Sequence, residues 1–499
     1  MKEPMQPNYD VLVIGRGIAG LTAALHAAGR GALVAVVYHN NICSTNLAYE
    51  GVFRFPQDID ELETMVHDHG CGLADPQLLS TFFQHYRDYG QKDLERIFPL
   101  TSAKPIGKKH KRGGPGILAD LNQSCNRKDI TFINGMAVKI ITSGRGVSAV
   151  QIYHLTHLIT IKVKSIIIAA GGGIGSIYQT TNNAPSCCLP GTVLALNAGA
   201  RLKDLEFISY HPFGAVNYRT RDNTTPVFTF FNIGIITAIY SNKTNNRVPF
   251  IENLISTRTV AQNPHDNIFK IAREVQKHNG IHIYKTVHGQ SKRISLAVVA
   301  HSLIGGIEVD TDFMTAVTGL YAVGESAGGL NGAGRLPGMA LLEGYVAGKQ
   351  AGLHAAGYAS KHNYRPVNPA ELHASSTRFG MFSNVTGEIK NIADTAIFIE
   401  RTETDLRLAE KRLAKLMSGI VREDLAQHIE YALAETVLAM IHASLLRKES
   451  RGNFYRKDYP HPDLNMQHNI IVQKKNPDAA VSVFRQHPPN DSLACGNDA

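Results

Sequence analysis

The sequence predicts an α/β fold, in which a parallel β-sheet covered by helices is interrupted by a second domain and followed by a helical domain. Three features predict this fold. A strand, a glycine turn, a helix and a second strand follow one another near the amino terminus. Short apolar runs that end in glycine recur at 165–170 and 319–325, as expected for strands buried on both faces. Beyond residue 366 the pattern changes to helical periodicity, strongest over 389–417 and 423–447.

The amino-terminal unit contains a glycine motif in the structural context that gives the motif its meaning. Apolar, β-branched runs at 9–14 and 32–37 predict two buried parallel strands with a helix between them. The first strand leads into the hexapeptide GRGIAG. Here Gly15 permits a tight turn, Gly17 lets the backbone approach a pyrophosphate, and Gly20 lets the helix lie close to the strand. The motif predicts a dinucleotide site, with a purely structural turn as the alternative.

The end of the second strand indicates which dinucleotide is bound. Proteins that bind NAD usually carry an acidic residue at this point, and its carboxylate binds the ribose. This chain has Tyr38 and His39 there instead. NAD as the sole cofactor is therefore disfavoured, although the helix start still offers free N–H groups to a phosphate.

Length and charge restrict the class of protein. A chain of 499 residues can form two or three domains. Its formal charge of +9 favours small anionic ligands and does not predict nucleic-acid binding. The basic run at 108–112 is interpreted as a solvated loop, with phosphate binding as the alternative. No run is expected to be long and apolar enough to cross a bilayer, and residues 1–8 carry no apolar leader, so a cytoplasmic protein is expected.

The cysteines do not form a metal-binding pattern. The chain has six of them: Cys43, Cys71, Cys125, Cys187, Cys188 and Cys495. No pair has the CxxC spacing of a zinc site or an iron–sulfur cluster, and no bound metal is expected. The adjacent Cys187 and Cys188 are interpreted as reduced thiols, with a redox role as the alternative.

Five segments are predicted along the chain. They are the first part of a nucleotide-binding domain (1–205), an inserted capping domain (206–300), the second part of the nucleotide-binding domain (301–365), a helical domain (366–475) and a tail (476–499). Within the first segment, residues 131–165 alternate apolar and polar side chains, which predicts an antiparallel meander.

Four further segments resemble motifs of one known family. They are STNLAYEG at 44–51, AAGG at 169–172, DLEFISYHP at 204–212, and RKESRG followed by RKDYP at 447–460. Together with the glycine turn they resemble the flavoproteins of succinate dehydrogenase, fumarate reductase and L-aspartate oxidase. The similarity extends over nearly the whole chain, from Tyr9 to Asp463.

This resemblance implies a Rossmann-like FAD-binding domain, an inserted α+β capping domain and a C-terminal helical domain. It also implies FAD as the cofactor. Respiratory members of the family carry a histidine that bonds covalently to FAD, and Thr45 stands at that place here. A non-covalently bound flavin is therefore expected.

The resemblance also assigns residues to the cofactor and the substrate. His211 and His301 would donate hydrogen bonds to one carboxylate, Arg335 would hold a carboxylate through its planar guanidinium, and Arg258 would deliver or remove the substrate proton. The residues expected to contact FAD are Gly15, Gly17, Ile18, Ala19, Gly20, Tyr38, His39, Ser44, Thr45, Gly51, Ala137, Val138, Ala170, Gly171, Gly172, Glu325, Arg335, Ala340 and Leu341.

The chain departs from the family pattern at three places. In the segment 229–234, Phe230 stands in place of a glutamate and Ile233 in place of an arginine. The segment 189–192 lacks the acid of the family's TGDG motif, and Met339-Ala340 replaces an Asn-Ser pair. The first departure affects the residues that would pass a proton to Arg258.

These observations predict an FAD-dependent oxidoreductase that transfers hydride between flavin N5 and a small dicarboxylate. The alternatives are an L-aspartate oxidase and a flavin-binding relative without turnover. The electron acceptor is expected to be a partner subunit, oxygen or a diffusible carrier, none of which the sequence identifies.

Overall fold

The structure is a computed structural model of the chain. It describes residues 8–39, 43, 58–90, 114–184, 189–220, 225–227, 238–256, 264–287, 290–372, 375–376, 379–476 and 479–486.

The largest sheet is built around the glycine-turn unit. Its strands are β1 (Asn8–Ile14), β2 (Val34–Tyr38), β3 (Thr131–Asn134), β4 (Met136–Ser143), β5 (Gly146–His154), β6 (His157–Ile168), β13 (Leu320–Ala322) and β15 (Ser375–Ser376). The strand order is β3-β2-β1-β6-β5-β4, with β13 and β15 also paired to β6. The pairs β1–β2, β2–β3, β1–β6 and β6–β13 are parallel, while β4, β5 and β6 form an antiparallel meander.

One strand links the meander to the parallel part of the sheet. The sequence predicts a meander over 131–165 and a separate buried strand from 165, but β6 passes through both without a break. It pairs with β5 over His157–Lys162 and with β1 over Lys162–Ile168. The meander prediction is confirmed for β4 to β6, whereas for β3 it is wrong because this strand lies parallel to β2.

Two helices pack closely on this sheet through small residues. They are α1 (Ile18–Gly29) and α9 (Met339–Lys361). A Cβ added at Gly348 would lie 2.5 Å from the carbonyl oxygen of Ala19, and one at Gly352 would lie 2.3 Å from that of Ala23. The glycines of α9 therefore let the two helix backbones touch. Other helices of this part of the chain are α2 (Ile59–His69), α3 (Pro76–His85), α4 (Gly114–Asn126), α5 (Ile174–Ile177) and α6 (Gly191–Asn197).

The inserted segment forms a second sheet. Its order is β8 (Ile208–Gly214), β11 (Gln290–Leu303), β10 (Ile281–Val287) and β9 (Tyr240–Ser241), all antiparallel. The helices α7 (Pro249–Ser256) and α8 (Pro264–Lys277) accompany it. The α+β character predicted for the insert is confirmed. β11 continues beyond residue 300, so a strand of the insert carries His301.

A third sheet brings distant parts of the chain together. Its order is β14 (Ala327–Gly328), β12 (Gly306–Glu308), β7 (Leu202–Lys203), β16 (Ile470–Gln473) and β17 (Ser482–Arg485). β17 lies within the predicted tail and pairs with β16 along four residues. Strands β16 and β17 are thereby joined to the nucleotide-binding domain through β7.

The helical domain contains α11 (Asn384–Ala396), α12 (Glu403–Gly419) and α13 (Leu425–Leu446), after a short α10 (Pro369–Leu372). The sequence predicts one continuous helix over 389–417. This prediction is wrong, because residues 397–402 separate two helices. Helix α13 begins at a capping box formed by Asp424 and Gln427. Its predicted apolar stripe is buried, and consists of Ile429, Leu433, Val437, Ile441 and Leu445.

Helix α13 corrects one expectation from the sequence. By length and composition alone it could cross a membrane, with a mean hydropathy of 1.4 over its most apolar window. However, 78% of that window is buried inside the protein, as in the core helix of a globular domain. Its apolar character is thus explained by packing against the neighbouring helices.

A buried charge network fixes the helical domain to the rest of the chain. The fully buried Arg447 donates to Glu206 (2.6 Å) and to Glu449 (2.9 Å), and lies 3.6 Å from Asp204. Burial and the neighbouring Glu206 raise the pKa of Asp204 to about 7, against the opposite effect of Arg447. The segment 447–460, which the sequence links to a family, thus has a structural role between domains.

Candidate active site

A single large cavity brings most of the predicted cofactor residues together. Its volume is about 690 Å³, within the range of ligand pockets. Of the residues predicted to contact cofactor or substrate, those that line it are Gly15, Gly17, Ile18, Ala19, Tyr38, His39, Ala137, Ala170, Gly171, Gly172, His301, Glu325, Arg335, Ala340 and Leu341. Many of them lie at or just beyond the carboxyl ends of β1, β2 and β6, where ligands bind in open α/β sheets.

The glycine turn forms one wall of the cavity. Gly15 has a φ of +118°, and a Cβ there would lie 2.1 Å from the carbonyl oxygen of Ala169. A Cβ at Gly20 would lie 2.1 Å from the carbonyl oxygen of Gly15. The turn and close-packing roles predicted for these two glycines are therefore confirmed. Gly17 caps α1 without a side-chain hydrogen bond, and the positive end of the helix dipole lies at this wall of the cavity, where it favours an anion.

A second glycine segment lines the cavity beside this turn, at the end of the neighbouring strand β6. Gly171 has a φ of +74°, and a Cβ added there would meet no atom within 4 Å. Its backbone is therefore open to the cavity. At Gly172 a Cβ would lie 2.5 Å from Oε1 of Glu325, so this glycine lets the carboxylate approach the main chain. The two glycine segments form a cradle in which a dinucleotide can approach the backbone directly.

A cation occupies the end of β2 where an acidic residue would bind the ribose of NAD. The Arg16 guanidinium lies 4.8 Å from the ring centre of Tyr38 and 5.0 Å from that of Phe132. Its Nε donates to Asn122 at 2.9 Å. Arg16 stands at a variable position of the glycine motif, and sequence reasoning missed it because the motif constrains only the glycines.

The substrate end of the cavity is built on the paired strands β8 and β11. His211 lies on β8 and His301 on β11, with ring centres 6.0 Å apart. In the register of this pair, Ala300 faces Tyr210 and Ser302 faces Ser209, so His301 is the extra residue of a β-bulge. A bulge re-aims the side chain that it carries. His301 lines the cavity, whereas His211, predicted to bind the same carboxylate, is not a lining residue and contacts the ring of His301.

Arg335 supplies positive charge beside these rings. Its Nη2 donates to the hydroxyl of Ser302 at 3.3 Å. Within the described part of the chain, no carboxylate lies within ion-pair distance of Arg335. Burial lowers the pKa of His211 to about 4; burial, His211 and Arg335 together lower the pKa of His301 to about 3. Both rings are therefore neutral near pH 7.

Two carboxyl groups lie near the same guanidinium, those of the half-buried Glu325 and the buried Glu343. Glu325 accepts from the N–H of Leu303 at 3.0 Å, and burial raises its pKa to about 7. Glu343 accepts from the Asn331 amide at 3.1 Å, and burial raises its pKa as well. Because burial disfavours the ionised form of both groups, they offset the positive charge of Arg335 less than fully ionised carboxylates would.

Several predicted residues lie elsewhere. Gly20 and Val138 do not line the cavity, since Gly20 faces the turn and Val138 falls at an irregularity of the β4–β5 pair. Ser44, Thr45, Gly51 and Arg258 lie outside the described residues, as do Phe230, Ile233, Cys187 and Cys188. Cavity residues that sequence reasoning missed include Arg16, Asn122, Asn182, Ser302, Asn331 and Glu343. Among the described residues, no group of three or more metal-binding side chains is present.

Comparisons with known proteins identify the relatives of this chain. A family profile described as FAD binding domain matches residues 10–68, 51–229 and 254–341, and one described as fumarate reductase flavoprotein C-term matches residues 387–487. The L-aspartate oxidase of Pyrococcus horikoshii is 27% identical, over 92% of this chain and 97% of that protein. A fumarate reductase (CoM/CoB) component from Methanothermobacter marburgensis is 23% identical, over 93% of this chain and 97% of that protein.

Solved structures show the same fold. A variant of FrdA from the quinol fumarate reductase of E. coli superposes with a TM-score of 0.77 at 20% identity, covering 98% of both chains. A quinol-fumarate reductase with menaquinol molecules superposes with a TM-score of 0.79 at 20% identity, covering 98% of this chain and 100% of the other. The predicted fold class is confirmed.

Proposed function

Because the chain belongs to the flavoprotein family of succinate dehydrogenase, fumarate reductase and L-aspartate oxidase, we propose that it exchanges hydride with a small dicarboxylate. As a member of this family, the chain is an FAD-dependent oxidoreductase with FAD as its cofactor. The proposal adds the substrate class and the residues that act on it. The observation that carries it is the position of His301 and Arg335 in the cavity that contains the glycine turn.

The cavity suits FAD in size and in chemistry. When bound, FAD supplies hydride transfer at N5 of its isoalloxazine. We propose that the start of α1 and Gly17 hold the pyrophosphate, since the positive end of the helix dipole favours negative charge there. The open backbone at Gly171 provides a second region of close approach. A non-covalent flavin stays a prediction, since Thr45 lies outside the described residues.

A dicarboxylate fits the charges around Arg335. The guanidinium has no carboxylate partner among the described residues, and a planar fork can donate two parallel hydrogen bonds to a carboxylate. The hydroxyl of Ser302 contacts the guanidinium and orients it. The bulge at His301 directs an imidazole toward the same space. Two fixed carboxylates would hold the reacting carbon in place without a metal.

We assign the proton transfer to Arg258 from the family resemblance alone. An arginine is a weak acid by its ordinary pKa, so it needs dense positive surroundings or a charged relay partner. Phe230 replaces the glutamate that serves as this partner in the family pattern. This departure keeps a flavin-binding protein without turnover as an alternative.

L-aspartate oxidase is the second candidate function. Several relatives of the chain carry this name, including those of Pyrococcus furiosus at 27% identity and Streptomyces coelicolor at 26% identity. Thr45 in place of the histidine that bonds to flavin also favours it.

Anaerobic titrations of the purified protein test these proposals. We expect a yellow protein that releases FAD on acid denaturation. Fumarate added to the reduced protein should reoxidise the flavin, whereas aspartate bleaching the oxidised protein would favour the oxidase. If neither aspartate, succinate nor fumarate exchanges electrons, the flavin-binding alternative holds. A colourless protein that cannot be reconstituted would contradict the cofactor assignment.

The variant Arg258→Ala tests the proton-transfer assignment. We expect it to retain FAD and to lose turnover by a factor of about 10²–10⁴, the usual contribution of a positioned general acid. The measurement is steady-state turnover normalised to bound flavin. Arg219→Ala, on the same predicted domain and outside the cavity, is the matched control. Turnover of Arg258→Ala equal to that of the control would rule out the assignment.

A further inference from the structure

The segment 180–183, which follows the second glycine segment of the cavity in the chain, runs alongside the end of β11. The hydroxyl of Thr181 donates to the carbonyl oxygen of Ala300 at 2.7 Å. The N–H of Ala300 donates to the carbonyl oxygen of Thr180 at 2.9 Å. The Asn183 amide donates to the carbonyl oxygen of His301 at 2.6 Å. This segment therefore fixes the main chain on both sides of the bulge.

Asn182, in the middle of this segment, contacts the ring of His301. Its Oδ1 lies 3.1 Å from Nδ1 of the imidazole, and its side chain is buried while still lining the cavity. An amide oxygen can only accept a hydrogen bond, so Nδ1 must carry the proton. In a neutral ring, Nε2 is then the acceptor, and it is the nitrogen left for the cavity.

This geometry conflicts with carboxylate binding unless the ring gains a proton. A carboxylate oxygen accepts hydrogen bonds and has no proton to offer to the lone pair of Nε2. The ring can donate from Nε2 and keep its bond to Asn182 only as an imidazolium, with one proton on each nitrogen. Asn182 can accept from Nδ1–H in both states of the ring.

We propose that Asn182 is a positioning residue that makes dicarboxylate binding at His301 depend on the uptake of one proton from solvent. The proton adds to the lone pair of Nε2 when the carboxylate enters and returns to solvent when the ligand leaves. The inference rests on the proposed function, because it requires a carboxylate ligand in this cavity. It adds a residue and a protonation step that the family resemblance does not assign.

The charges around His301 agree with this step. His211 on β8 and Arg335 on the loop before α9 both face the ring, and with burial they keep it neutral before a ligand arrives. An entering dianion offsets the charge of Arg335 and pairs with the new imidazolium. Glu325, whose Oε1 is held by the N–H of Leu303, contributes to the surroundings of Arg335.

Calorimetry of fumarate binding to the oxidised, FAD-loaded protein measures the proton directly. No electrons are exchanged, since both partners are oxidised. Binding enthalpies in two buffers with different ionisation enthalpies give the number of protons taken up. We expect one proton per fumarate at neutral pH, and an affinity that weakens about tenfold per pH unit between about pH 6 and pH 8.

Two outcomes would overturn the inference in different ways. Binding without proton uptake would mean that the Asn182 amide is rotated, so that its NH₂ faces Nδ1 and the neutral ring donates from Nε2. Absence of any fumarate binding, with no change in the flavin absorbance, would contradict the proposed dicarboxylate function and the inference with it.

Variants of Asn182 show whether this residue controls the protonation of His301 or only supports the local structure. The quantity compared is the number of protons taken up when fumarate binds. Asn182→Leu removes the acceptor, so the neutral ring can donate from Nε2, and the proton count should fall from one to near zero. Asn182→Asp should hold the imidazolium before fumarate arrives, which also lowers the count near neutral pH and moves the proton-linked range to higher pH.

The control variants keep the ring contact. Asn183→Ala loses the bond to the His301 main chain and should still take up one proton. A count of one in His211→Gln would exclude His211 as the group that takes up the proton. Flavin absorbance confirms that each variant is folded and loaded. If Asn182→Leu keeps a count of one, Asn182 has no part in the proton uptake.

Discussion

The substitution Gly20→Ala tests the packing on which the cofactor site depends. Its Cβ would lie 2.1 Å from the carbonyl oxygen of Gly15, whereas real Cβ atoms essentially never approach another atom within 3.0 Å. The backbone must therefore open by at least 0.9 Å. The residue that it would push is the first glycine of the turn that lines the cavity.

The surroundings leave little room for this movement. On one side, Gly15 lies against the carbonyl oxygen of Ala169 so closely that a Cβ there would be 2.1 Å away. On the other side, α1 is in backbone contact with α9 at Ala19 and Gly348. Overpacking of a tight core costs about 1–3 kcal/mol. If this strain falls on the turn, FAD affinity should weaken by roughly 5-fold to 150-fold.

Titration of the apoprotein with FAD, followed by flavin fluorescence, measures this loss. Gly29→Ala is the matched control, because Gly29 ends the same helix and a Cβ there meets no atom within 4 Å. The control should bind FAD as the natural protein does and be at most about 1 kcal/mol more stable. If Gly20→Ala binds FAD within about twofold of the control, the packing argument is wrong.

Two further predictions concern stability. Arg447→Met leaves three buried carboxyl groups without their shared cation and should lower the free energy of unfolding in urea by about 3–5 kcal/mol. Arg407→Met, whose side chain is 54% exposed, should cost no more than about 1 kcal/mol, and an equal loss in both variants would contradict the role of burial. The second concerns His211 and His301, whose pKa values of about 4 and about 3 lie below the ordinary 6.5. The unfolded chain binds more protons in that window, so the stability of the apoprotein should fall as the pH drops below about 6.5. The double variant His211→Gln/His301→Gln should lose less stability over this range in pH-dependent thermal unfolding, and an identical pH profile would show that the rings are not held neutral.

The sequence predicted local features well where only one type of residue can adopt the required backbone conformation or supply the required pattern. The φ of +118° at Gly15 can be adopted readily only by glycine, so the turn follows from the residue. Helix α13 likewise follows from the helical periodicity over 423–447. It did not predict that β6 joins the meander to the parallel sheet, because pairing partners depend on chain segments far away.

The candidate site was predicted in part. His301 and Arg335 were identified from a family resemblance, and the structure places both in the cavity. Arg16 and Asn182 were missed, since neither lies at a constrained position of a motif. Their roles become visible only from their neighbours in the folded chain. Arg16 lies beside the rings of Tyr38 and Phe132, and Asn182 lies beside the imidazole of His301.

By itself, the order of residues determined the glycine turn, the alternation of strands and helices, and the residue types able to bind an anion. These depend on backbone sterics and on side-chain chemistry, which are local. Tertiary structure alone decided that His301 sits on a bulge, that Asn182 meets its ring, and that Arg335 has no carboxylate partner among the described residues. Protonation states and ligand charge follow from such contacts, because each depends on burial and on neighbours distant in the chain.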